Sequence, residues 1–253
     1  MNLSEIRALQ EQYLQELPPF PSGGTLEAPN LAACIDHTLL KAEATPAQVT
    51  ELCQEARQHQ FAAVCVNGLH VPLAARLLQG SPVAVCTVVG FPLGAMSSAA
   101  KVFETQQAIQ DGAQEIDMVL SIGLLKAGQT EAVLADIEAI VAASHRQQAR
   151  VKVILEMAYL NQAEKILACL LCLAAGADFV KTSTGFAPSG ATVEDVRLMR
   201  CIVGPIDRMG VKAAGGVRTL AHARAMLAAG ANRLGRSEAR RVGKECRSRW
   251  AAC

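Results

Sequence analysis

Eight short apolar runs, each long enough for one strand, alternate with seven amphipathic stretches within residues 31–235 of this 253-residue chain. Short strands that are separated by helices pair in parallel, because a parallel connection needs a long crossover and a helix provides it. The predicted strands are Ala32–Asp36, Ala62–Asn67, Val83–Val89, Glu115–Ser121, Val151–Glu156, Phe179–Ser183, Val211–Ala214 and Asn232–Gly235. The predicted helices are Pro46–His59, Val71–Leu78, Ser98–Gln110, Thr130–Ser144, Gln162–Ala174, Val193–Ile202 and Leu220–Ala228.

Three helix-to-strand junctions repeat a Gly-Ala pair, at Gly112, Gly176 and Gly230. Glycine ends a helix readily because it adopts positive φ, and a strand follows at once in each case. Eight such strands without a dividing linker predict one α/β domain, a (β/α)8 TIM barrel over residues 31–235. A doubly wound open sheet is the alternative, but its glycine-rich loop should follow the first strand, where Asp36–Lys41 stands instead.

The two ends of the chain fall outside the barrel pattern. Leu3–Leu17 has apolar residues at helical spacing, which predicts that residues 1–30 add a helix that packs on the barrel and covers its lower end. Residues 236–253 change abruptly in composition and lack the pattern of an eighth helix. Their sequence resembles translated adapter DNA, which favours a cloning or sequencing artefact over the alternative, a native basic tail.

Composition and motif spacing argue against several classes of function. Residues 1–235 carry 18 basic and 21 acidic side chains, which gives no basic surface for nucleic acid. No apolar run could cross a membrane, and Met1–Ile6 lacks the basic start of a signal peptide, so a cytoplasmic location is expected. The histidines and cysteines show no metal-ligand spacing, and Cys169-Leu-Leu-Cys172 lies inside a helical pattern. We therefore expect no metal and no cofactor.

Two lysines lie in apolar strands that lead into glycine-bearing turns: Lys181 before Thr-Ser-Thr-Gly185, and Lys212 before Ala-Ala-Gly-Gly216. Burial disfavours the charged form of an amine, and a free amine attacks carbonyl carbons to form a Schiff base. Two cations that face one cavity also oppose each other's protonation. Either lysine alone would be interpreted as a strand-end side chain that reaches solvent. The pair indicates an amine nucleophile.

Two acidic residues share one side of the fourth predicted strand. Glu115 and Asp117 have the same parity in a run of Ile, Met and Val, so both should point into the barrel. A buried carboxylate needs a partner, which a lysine across the barrel would supply. Lys152 lies early in its strand, which Glu156 closes, and is predicted to pair with Glu115 or Asp36 and not to be the reacting amine. A purely structural ion pair is the alternative.

Glycines follow the sixth, seventh and eighth predicted strands, at Gly185, at Gly215 and Gly216, and at Gly235. Backbone N–H groups in such turns can approach an anion closely because no side chain intervenes. Barrels of this type commonly bind phosphate after strands seven and eight, so these turns predict a phosphate site.

Six motifs together carry a resemblance to a known family. With them the chain resembles the deoxyribose-phosphate aldolases, which are class I aldolases, over roughly Leu31–Gly235. The motifs are Ile35-Asp-His-Thr-Leu-Leu-Lys41, Ala63-Val-Cys-Val-Asn67, Gly90-Phe-Pro-Leu-Gly94, Glu115-Ile-Asp-Met-Val119, Lys181-Thr-Ser-Thr-Gly185 and Lys212-Ala-Ala-Gly-Gly-Val-Arg-Thr219.

The resemblance implies a role for individual residues. Lys181 falls on the Schiff-base lysine, Lys212 on the lysine that lowers its pKa, and Asp117 on the proton relay. The substrate-pocket positions fall on Thr38, Cys65 and Thr184, and the phosphate-site positions on Gly185, Gly215, Gly216, Gly235 and Ser237. Glu238 follows in the last of these loops and would repel a phosphate if it pointed inward.

The resemblance also implies a reaction, the reversible cleavage of 2-deoxy-D-ribose 5-phosphate to D-glyceraldehyde 3-phosphate and acetaldehyde, without metal or cofactor. Small phosphorylated sugars and aldehydes are then the expected partners, and a homodimer is left open. One alternative is another class I aldolase or transaldolase-type barrel with a different donor aldehyde. The other is a truncated, non-catalytic barrel that binds a sugar phosphate.

Overall fold

The computed structural model describes residues 1–26 and 30–237. Its eight parallel strands close into a barrel in chain order, with the last strand paired to the first. The strands are β1 (Ile35–Leu39), β2 (Ala63–Val66), β3 (Ala84–Val89), β4 (Glu115–Val119), β5 (Arg150–Ile154), β6 (Phe179–Lys181), β7 (Gly210–Ala214) and β8 (Arg233–Ser237). Because helices connect these strands, the predicted (β/α)8 TIM barrel is confirmed.

Helices cover the outside of the barrel. They are α1 (Leu3–Gln15), α2 (Pro46–His59), α3 (Val71–Leu78), α4 (Ser98–Gln110), α5 (Ile122–Lys126), α6 (Thr130–His145), α7 (Gln162–Ala175), α8 (Val193–Val203) and α9 (Leu220–Ala228). The bounds of α2, α3, α4 and α9 agree with the prediction to the residue. The short α5 was not predicted, and the place of an eighth barrel helix lies outside the described residues.

Local capping signals explain where these helices begin and end. Thr45 precedes α2 and exchanges hydrogen bonds with Gln48, and Asn161 does the same with Glu164 at the start of α7. Each pair satisfies backbone donors that the first helical turn leaves free. Gly176 ends α7 with φ 75°, as the Gly-Ala junctions predicted.

All eight strands differ from their predicted bounds by one to three residues, and two of these differences have a visible local cause. The first begins at Ile35 because Ala32–Cys34 form a 3-10 turn. The sixth ends at Lys181, two residues before its predicted end. There the Thr182 hydroxyl donates to the Ala214 carbonyl at 3.0 Å and accepts from the Ala214 N–H at 3.0 Å. The side chain of Thr182 thus continues the link to β7 beyond the last residue of β6.

The predicted N-terminal helix is present and packs on the barrel. Helix α1 packs along α7 on the flank of the barrel, where Ile6 is buried and Gln10 donates to the Ala163 carbonyl at 3.0 Å. The lower end of the barrel, where the strands begin, is contacted by the segment that follows α1. In that segment the Gly23 carbonyl accepts from the Ile206 N–H at 3.2 Å.

The main apolar core lies between the sheet and the helices, whereas the barrel interior is divided. Strands β2 and β3 supply small apolar side chains to it, namely Ala63, Cys65, Cys86 and Val88. The other strands supply most of its charged side chains. Among the described residues, no helix has both the length and the apolar character that a membrane crossing requires.

Candidate active site

Seven buried charged side chains meet inside the barrel and form one set of direct contacts, called here the charge network. They come from β1, β4, β5, β6, β7 and β8, and all point to the barrel axis. The members are Asp36, Glu115, Asp117, Lys152, Lys181, Lys212 and Arg233. The alternation along β4 therefore placed Glu115 and Asp117 correctly, and the network includes both lysines that the sequence singled out.

Asp117 lies at the centre of the charge network. Its Oδ2 accepts from the Lys181 Nζ at 2.7 Å and from the Lys212 Nζ at 2.8 Å, and its Oδ1 accepts from the Lys152 Nζ at 2.8 Å. Burial alone would raise the pKa of this carboxyl, but the three ammonium groups outweigh it and hold the pKa well below its usual value. Asp117 is therefore ionised at neutral pH.

Lys212 is held in its charged form by two carboxylates. It is the register partner of Lys181 on the neighbouring strand, and its Nζ contacts both Asp36 and Asp117. Burial lowers the pKa of Lys212, yet Asp117 and Asp36 outweigh that effect and raise it above the ordinary value. The ammonium of Lys212 consequently stands next to the Lys181 amine.

In the lower part of the network, two cations and two carboxylates form ion pairs with one another. The Lys152 Nζ lies 2.6 Å from the Glu115 Oε2 and 3.8 Å from the Asp36 Oδ2. Arg233 bridges the same two carboxylates, at 2.6 Å to the Asp36 Oδ1 and 3.0 Å to the Glu115 Oε1. The structure thus gives Lys152 the predicted partners, and it adds the contact with Asp117, which the sequence analysis missed.

The charge network contains four cations and three carboxylates. Within the part of the chain that the structure describes, Lys152, Lys212 and Arg233 each contact two or more of these carboxylates. Lys181 contacts one, through an oxygen of Asp117 that it shares with Lys212. The set is electrically neutral when one amine gives up its proton, and Lys181 is the amine whose charge is least compensated.

Above Lys181, the turn after β6 is tied to a buried carboxylate. Glu156 has φ 55°, a left-handed conformation that is uncommon outside glycine, and only 2% of it is exposed. Its carboxylate accepts from the Thr184 N–H at 3.2 Å and from the Thr184 hydroxyl, whose oxygen accepts from the Phe186 N–H at 3.0 Å. The sequence analysis placed Glu156 in a strand, but β5 ends at Ile154 and Glu156 instead orders the Thr184 turn.

Three of the predicted phosphate-site glycines have a turn conformation that favours glycine. Gly185, Gly215 and Gly216 have φ of 92°, 83° and 76°. Among the described residues their N–H groups find no acceptor. The Ser183 hydroxyl is buried beside them and also lacks a partner there. A Cβ atom placed on Gly215 would stand 3.5 Å from the Ser183 Cβ and 3.7 Å from the Gly185 Cα, so the two turns meet.

Gly235, the fourth predicted glycine, lies lower than the other three. A Cβ atom placed on it would stand 2.9 Å from the Ala214 Cβ and 3.6 Å from the Lys212 Cε. The structure thus gives Gly235 a packing function, because it leaves room for the Ala214 side chain on β7. Ser237 is the register partner of Thr38 on β1, which brings it to the upper rim, and Glu238 lies outside the described residues.

The three predicted substrate-pocket residues lie on different sides of the chamber. Thr38 is half-buried on β1, and its hydroxyl donates to the Asp36 carbonyl at 2.9 Å. Cys65 is fully buried on β2, with its sulfur within 4.8 Å of the nearest Asp117 oxygen. Thr184 closes the opposite side. An edge-to-face pair of Phe91 and Phe186, with ring centroids 5.3 Å apart, spans two loops at the same end.

The floor of the chamber separates it from a second cavity. The Phe179 ring lies beneath the Arg233 guanidinium, 5.5 Å from its carbon to the ring centroid, and packs so closely on Gly210 that a Cβ there would stand 2.1 Å from the ring. Beyond it, at the lower end, is a cavity of about 460 Å³ whose lining includes Arg150 and Arg208. The buried lysines lie on the upper side of Phe179, where barrel enzymes carry their active sites.

Comparison with known proteins identifies the group to which this barrel belongs. The profile of the DeoC/LacD family of aldolases matches residues 31–242. The chain belongs to that family. A deoxyribose-phosphate aldolase from Geobacillus sp. (strain WCH70) is 55% identical over 208 residues, which cover 82% of this chain and 92% of the relative.

Solved structures agree with the family. A crystal structure from Coccidioides immitis, itself assigned only provisionally as a deoxyribose-phosphate aldolase, has a TM-score of 0.85 and 40% identity, covering 93% of this chain and 94% of the other. A deoxyribose phosphate aldolase from Aeropyrum pernix, described as tetrameric, has a TM-score of 0.77 and 32% identity, covering 91% and 93%. As a DeoC/LacD family member the chain is an aldolase, a carbon–carbon lyase, and the resemblance in its motifs is confirmed.

Proposed function

We propose that this aldolase cleaves 2-deoxy-D-ribose 5-phosphate reversibly to D-glyceraldehyde 3-phosphate and acetaldehyde, through a Schiff base on Lys181. The observation that carries the proposal is the charge imbalance around Lys181. This amine shares its one carboxylate oxygen with Lys212, whose ammonium is held charged by Asp36 as well. An adjacent like charge is one of the ways in which an amine nucleophile is activated, and the amine is the group that forms a Schiff base.

The first stage of the reaction joins the substrate to the enzyme. The Lys181 nitrogen attacks C1 of the open-chain aldehyde, and loss of water leaves a protonated imine. Asp117 lies 2.7 Å from that nitrogen, so it stabilises the positive charge and orients a water that exchanges protons with the intermediate. The ammonium of Lys212 shares the same carboxylate oxygen and supplies the proton that the departing hydroxyl needs.

The second stage breaks the carbon skeleton. Acetaldehyde carries C1 and C2, so the bond that breaks is C2–C3. A base removes the proton of the C3 hydroxyl, C3 becomes the carbonyl of glyceraldehyde 3-phosphate, and the electron pair of the bond flows into the imine to give an enamine. Asp117, acting through water, is the nearest carboxylate for these proton transfers, and protonation of C2 followed by hydrolysis releases acetaldehyde and the free amine.

The glycine turns above the lysines supply the phosphate site in this proposal. The N–H groups of Gly185, Gly215 and Gly216, which have no acceptor among residues 1–26 and 30–237, can donate to phosphate oxygens, and the buried Ser183 hydroxyl is a further candidate donor. Ser237, at the rim, belongs to the proposed site as well. Gly235 contributes indirectly, because it gives space to Ala214, which precedes Gly215.

Borohydride trapping tests the proposal directly. The protein is incubated with acetaldehyde, reduced, digested and mapped by mass spectrometry. We expect the increment of a reduced two-carbon imine on Lys181. Labelling of Lys152 instead, or of no lysine, would reject the mechanism. Lys101, which is buried outside the barrel interior, serves as the internal control and should remain unlabelled.

A panel of donors and acceptors separates the proposed reaction from its alternatives. Acetaldehyde with glyceraldehyde 3-phosphate should give the highest rate. A different preferred donor would indicate another class I aldolase or transaldolase-type enzyme. Binding of deoxyribose 5-phosphate without cleavage would indicate a non-catalytic sugar-phosphate-binding barrel.

A further inference from the structure

We infer that Cys65 and Cys86 form a reversible disulfide inside the barrel when a hydroperoxide enters the chamber, and that this bond switches the aldolase off. The two cysteines lie on the apolar side of the interior and are not required for the chemistry proposed above. Each thiol lies beside the central carboxylate Asp117. A covalent bond between the two cysteines would therefore change the surroundings of Asp117, which contacts the reacting Lys181 amine.

The sheet brings the two sulfurs together. Cys65 on β2 and Cys86 on β3 are register partners in neighbouring parallel strands, and both side chains point inward. Neighbouring strands lie about 4.8 Å apart, which is within the range of Cα separations that a disulfide spans. Their sulfurs lie within 4.8 Å of each other. Closure therefore needs a small movement of two strands.

The two thiols differ in acidity in the direction that the reaction needs. The neighbouring Cys86 thiol lowers the pKa of Cys65, although burial opposes this effect. Burial and the neighbouring Cys65 raise the pKa of Cys86 well above its ordinary value. Cys65 is thus the more acidic thiol of the pair, and the thiolate is the form that reacts with oxidants. Cys86 remains the thiol that resolves the product.

The chemistry balances with a hydroperoxide as the only co-reactant. The Cys65 sulfur attacks the peroxide, an S–O bond forms, the O–O bond breaks, and hydroxide leaves as water after it takes up a proton. The Cys86 sulfur then attacks the Cys65 sulfenic acid, the S–S bond forms, and the S–O oxygen departs as a second water with the thiol proton. Two thiols are oxidised and one peroxide is reduced to two waters.

The disulfide would disturb the charge network through one contact. The Cys86 sulfur donates to the Asp117 Oδ1 at 3.2 Å and accepts from the Lys152 Nζ at 3.4 Å. Oxidation removes the donor and draws the sulfur toward β2. Asp117 then loses a partner on the side opposite Lys181, so the position of its carboxylate changes. A displacement of about 1 Å in a catalytic group lowers a rate by about a hundredfold.

A bound metal ion is a weaker interpretation of the same cluster. The sulfurs of Cys65 and Cys86 and an oxygen of Asp117 are close enough to ligate one cation. However, the Asp117 carboxylate already contacts the Nζ atoms of Lys152, Lys181 and Lys212, so at least two ammonium groups would repel a divalent ion. Oxidation to a disulfide brings no additional positive charge into the site.

The access of hydrogen peroxide to Cys65 is the one step that rests on the proposed function. A chamber that admits a sugar phosphate to Lys181 also admits hydrogen peroxide, which is smaller, and Cys65 is one of the side chains around that chamber. The Cys65 sulfur lies within 4.8 Å of an Asp117 oxygen, and the Lys181 Nζ lies 2.7 Å from that carboxylate.

Peroxide titration of the full chain tests the inference. The protein is reduced with dithiothreitol and desalted, its retro-aldol rate is measured, and it is then exposed to hydrogen peroxide, alkylated in denaturant and digested. We expect a Cys65–Cys86 linked peptide, lighter by two hydrogen atoms, whose yield rises as activity falls. The fully linked enzyme should have kcat/KM lower by about a hundredfold, and dithiothreitol should restore it.

Two variants sharpen the test. Cys53→Ser removes a buried thiol of α2 whose pKa is raised by burial to about 11, and it should form the Cys65–Cys86 link like the wild type. Cys86→Ser should form no link, and prolonged peroxide should convert its Cys65 to a sulfinic acid that dithiothreitol does not reverse. The inference fails if the active wild type yields no linked peptide, or if the link forms and activity is unchanged. An inactive reduced enzyme would instead contradict the proposed function.

Discussion

Two buried lysines in this protein, Lys101 and Lys181, differ in the partners that compensate their charge. Outside the barrel interior, Lys101 on α4 donates to the Asp136 Oδ2 at 2.6 Å, the Ser121 hydroxyl at 2.9 Å and the Val119 carbonyl at 3.0 Å. Inside, Lys181 has a single carboxylate contact, through an oxygen that Lys212 also uses. Burial is almost the same at the two sites, and the difference lies in the partners.

The comparison shows what makes a buried amine reactive. An ammonium has three N–H donors, and at Lys101 each has its own acceptor and the charge has its own carboxylate. Such a lysine stabilises the fold and takes no part in a reaction. At Lys181 the carboxylate oxygen is shared with Lys212, whose ammonium is adjacent, so the charge at Lys181 is less well compensated. A shared counter-ion is therefore a better indicator of chemistry than burial alone.

The largest effect is expected for Lys181→Met. Removal of the amine removes the nucleophile, so retro-aldol activity and borohydride trapping should both fall below detection, while the barrel keeps its fold because a cation is lost from a network with one in excess. The measurements are the trapping assay and a circular dichroism melt. A variant that still forms a trapped adduct would show that another lysine reacts.

A smaller loss is expected for Lys212→Leu. The substitution removes the ammonium that shares the Asp117 oxygen with Lys181, and with it a proton donor. The rate should fall by about 10²-fold or more, the magnitude typical of acid–base catalysis. A retro-aldol rate equal to that of the wild type would contradict the part given to Lys212.

Glu156→Gln should produce a moderate effect that depends on the substrate. The amide lacks the negative charge and has an NH2 donor in place of one acceptor oxygen, so the hydrogen bonds from the N–H and the hydroxyl of Thr184 weaken and the turn that carries Gly185 loosens. We expect kcat/KM for deoxyribose 5-phosphate to fall by roughly tenfold, mainly through KM. The value for unphosphorylated deoxyribose should change much less. An equal loss for both substrates would indicate that Glu156 does not act through the phosphate site.

Lys101→Met should change stability instead of catalysis. The substitution leaves Asp136 as a buried carboxylate without its cation, and breaking a buried pair in this way destabilises a protein by about 3–5 kcal/mol. In a chain of this size the melting temperature should drop by roughly 10 °C. Retro-aldol activity per folded molecule, measured well below the melt, should equal that of the wild type. A selective loss of activity would remove the contrast between the two lysine sites.

The smallest effect is expected for the pH dependence of the stability that Asp36 gives to the charge network. Burial raises the pKa of Asp36, but Lys212, Arg233 and Lys152 outweigh it and lower the pKa below its ordinary value. Its stabilising contribution is thus complete above about pH 4 and is lost as pH falls through the folded-state pKa. The difference in melting temperature between wild type and Asp36→Asn should be constant from about pH 5 to 9 and shrink below about pH 4. A difference that grows on acidification would contradict the assignment.

The sequence predicted most of the fold because its signals are local. Capping residues and periodicity fixed helices such as α2 and α4, and short apolar runs fixed the strands to within a few residues. The pairing of Lys181 with Lys212 followed once consecutive strands were taken as neighbours. The site was less predictable where contacts are not local. Neither the positive φ of Glu156 nor its hydrogen bonds with Thr184 follow from a periodic pattern in the sequence. At that point the sequence shows an acidic residue at the end of an apolar run.

The Phe179 floor has a practical consequence. Because this ring seals the chamber from the 460 Å³ cavity below, the two ends of the barrel can be altered independently. A small molecule bound among Arg150, Arg208 and the neighbouring main chain would raise the melting temperature as its concentration rises above its Kd, without competing with a sugar for the upper opening. Tolerance to heat and choice of aldehyde are then properties that an engineer could adjust one at a time.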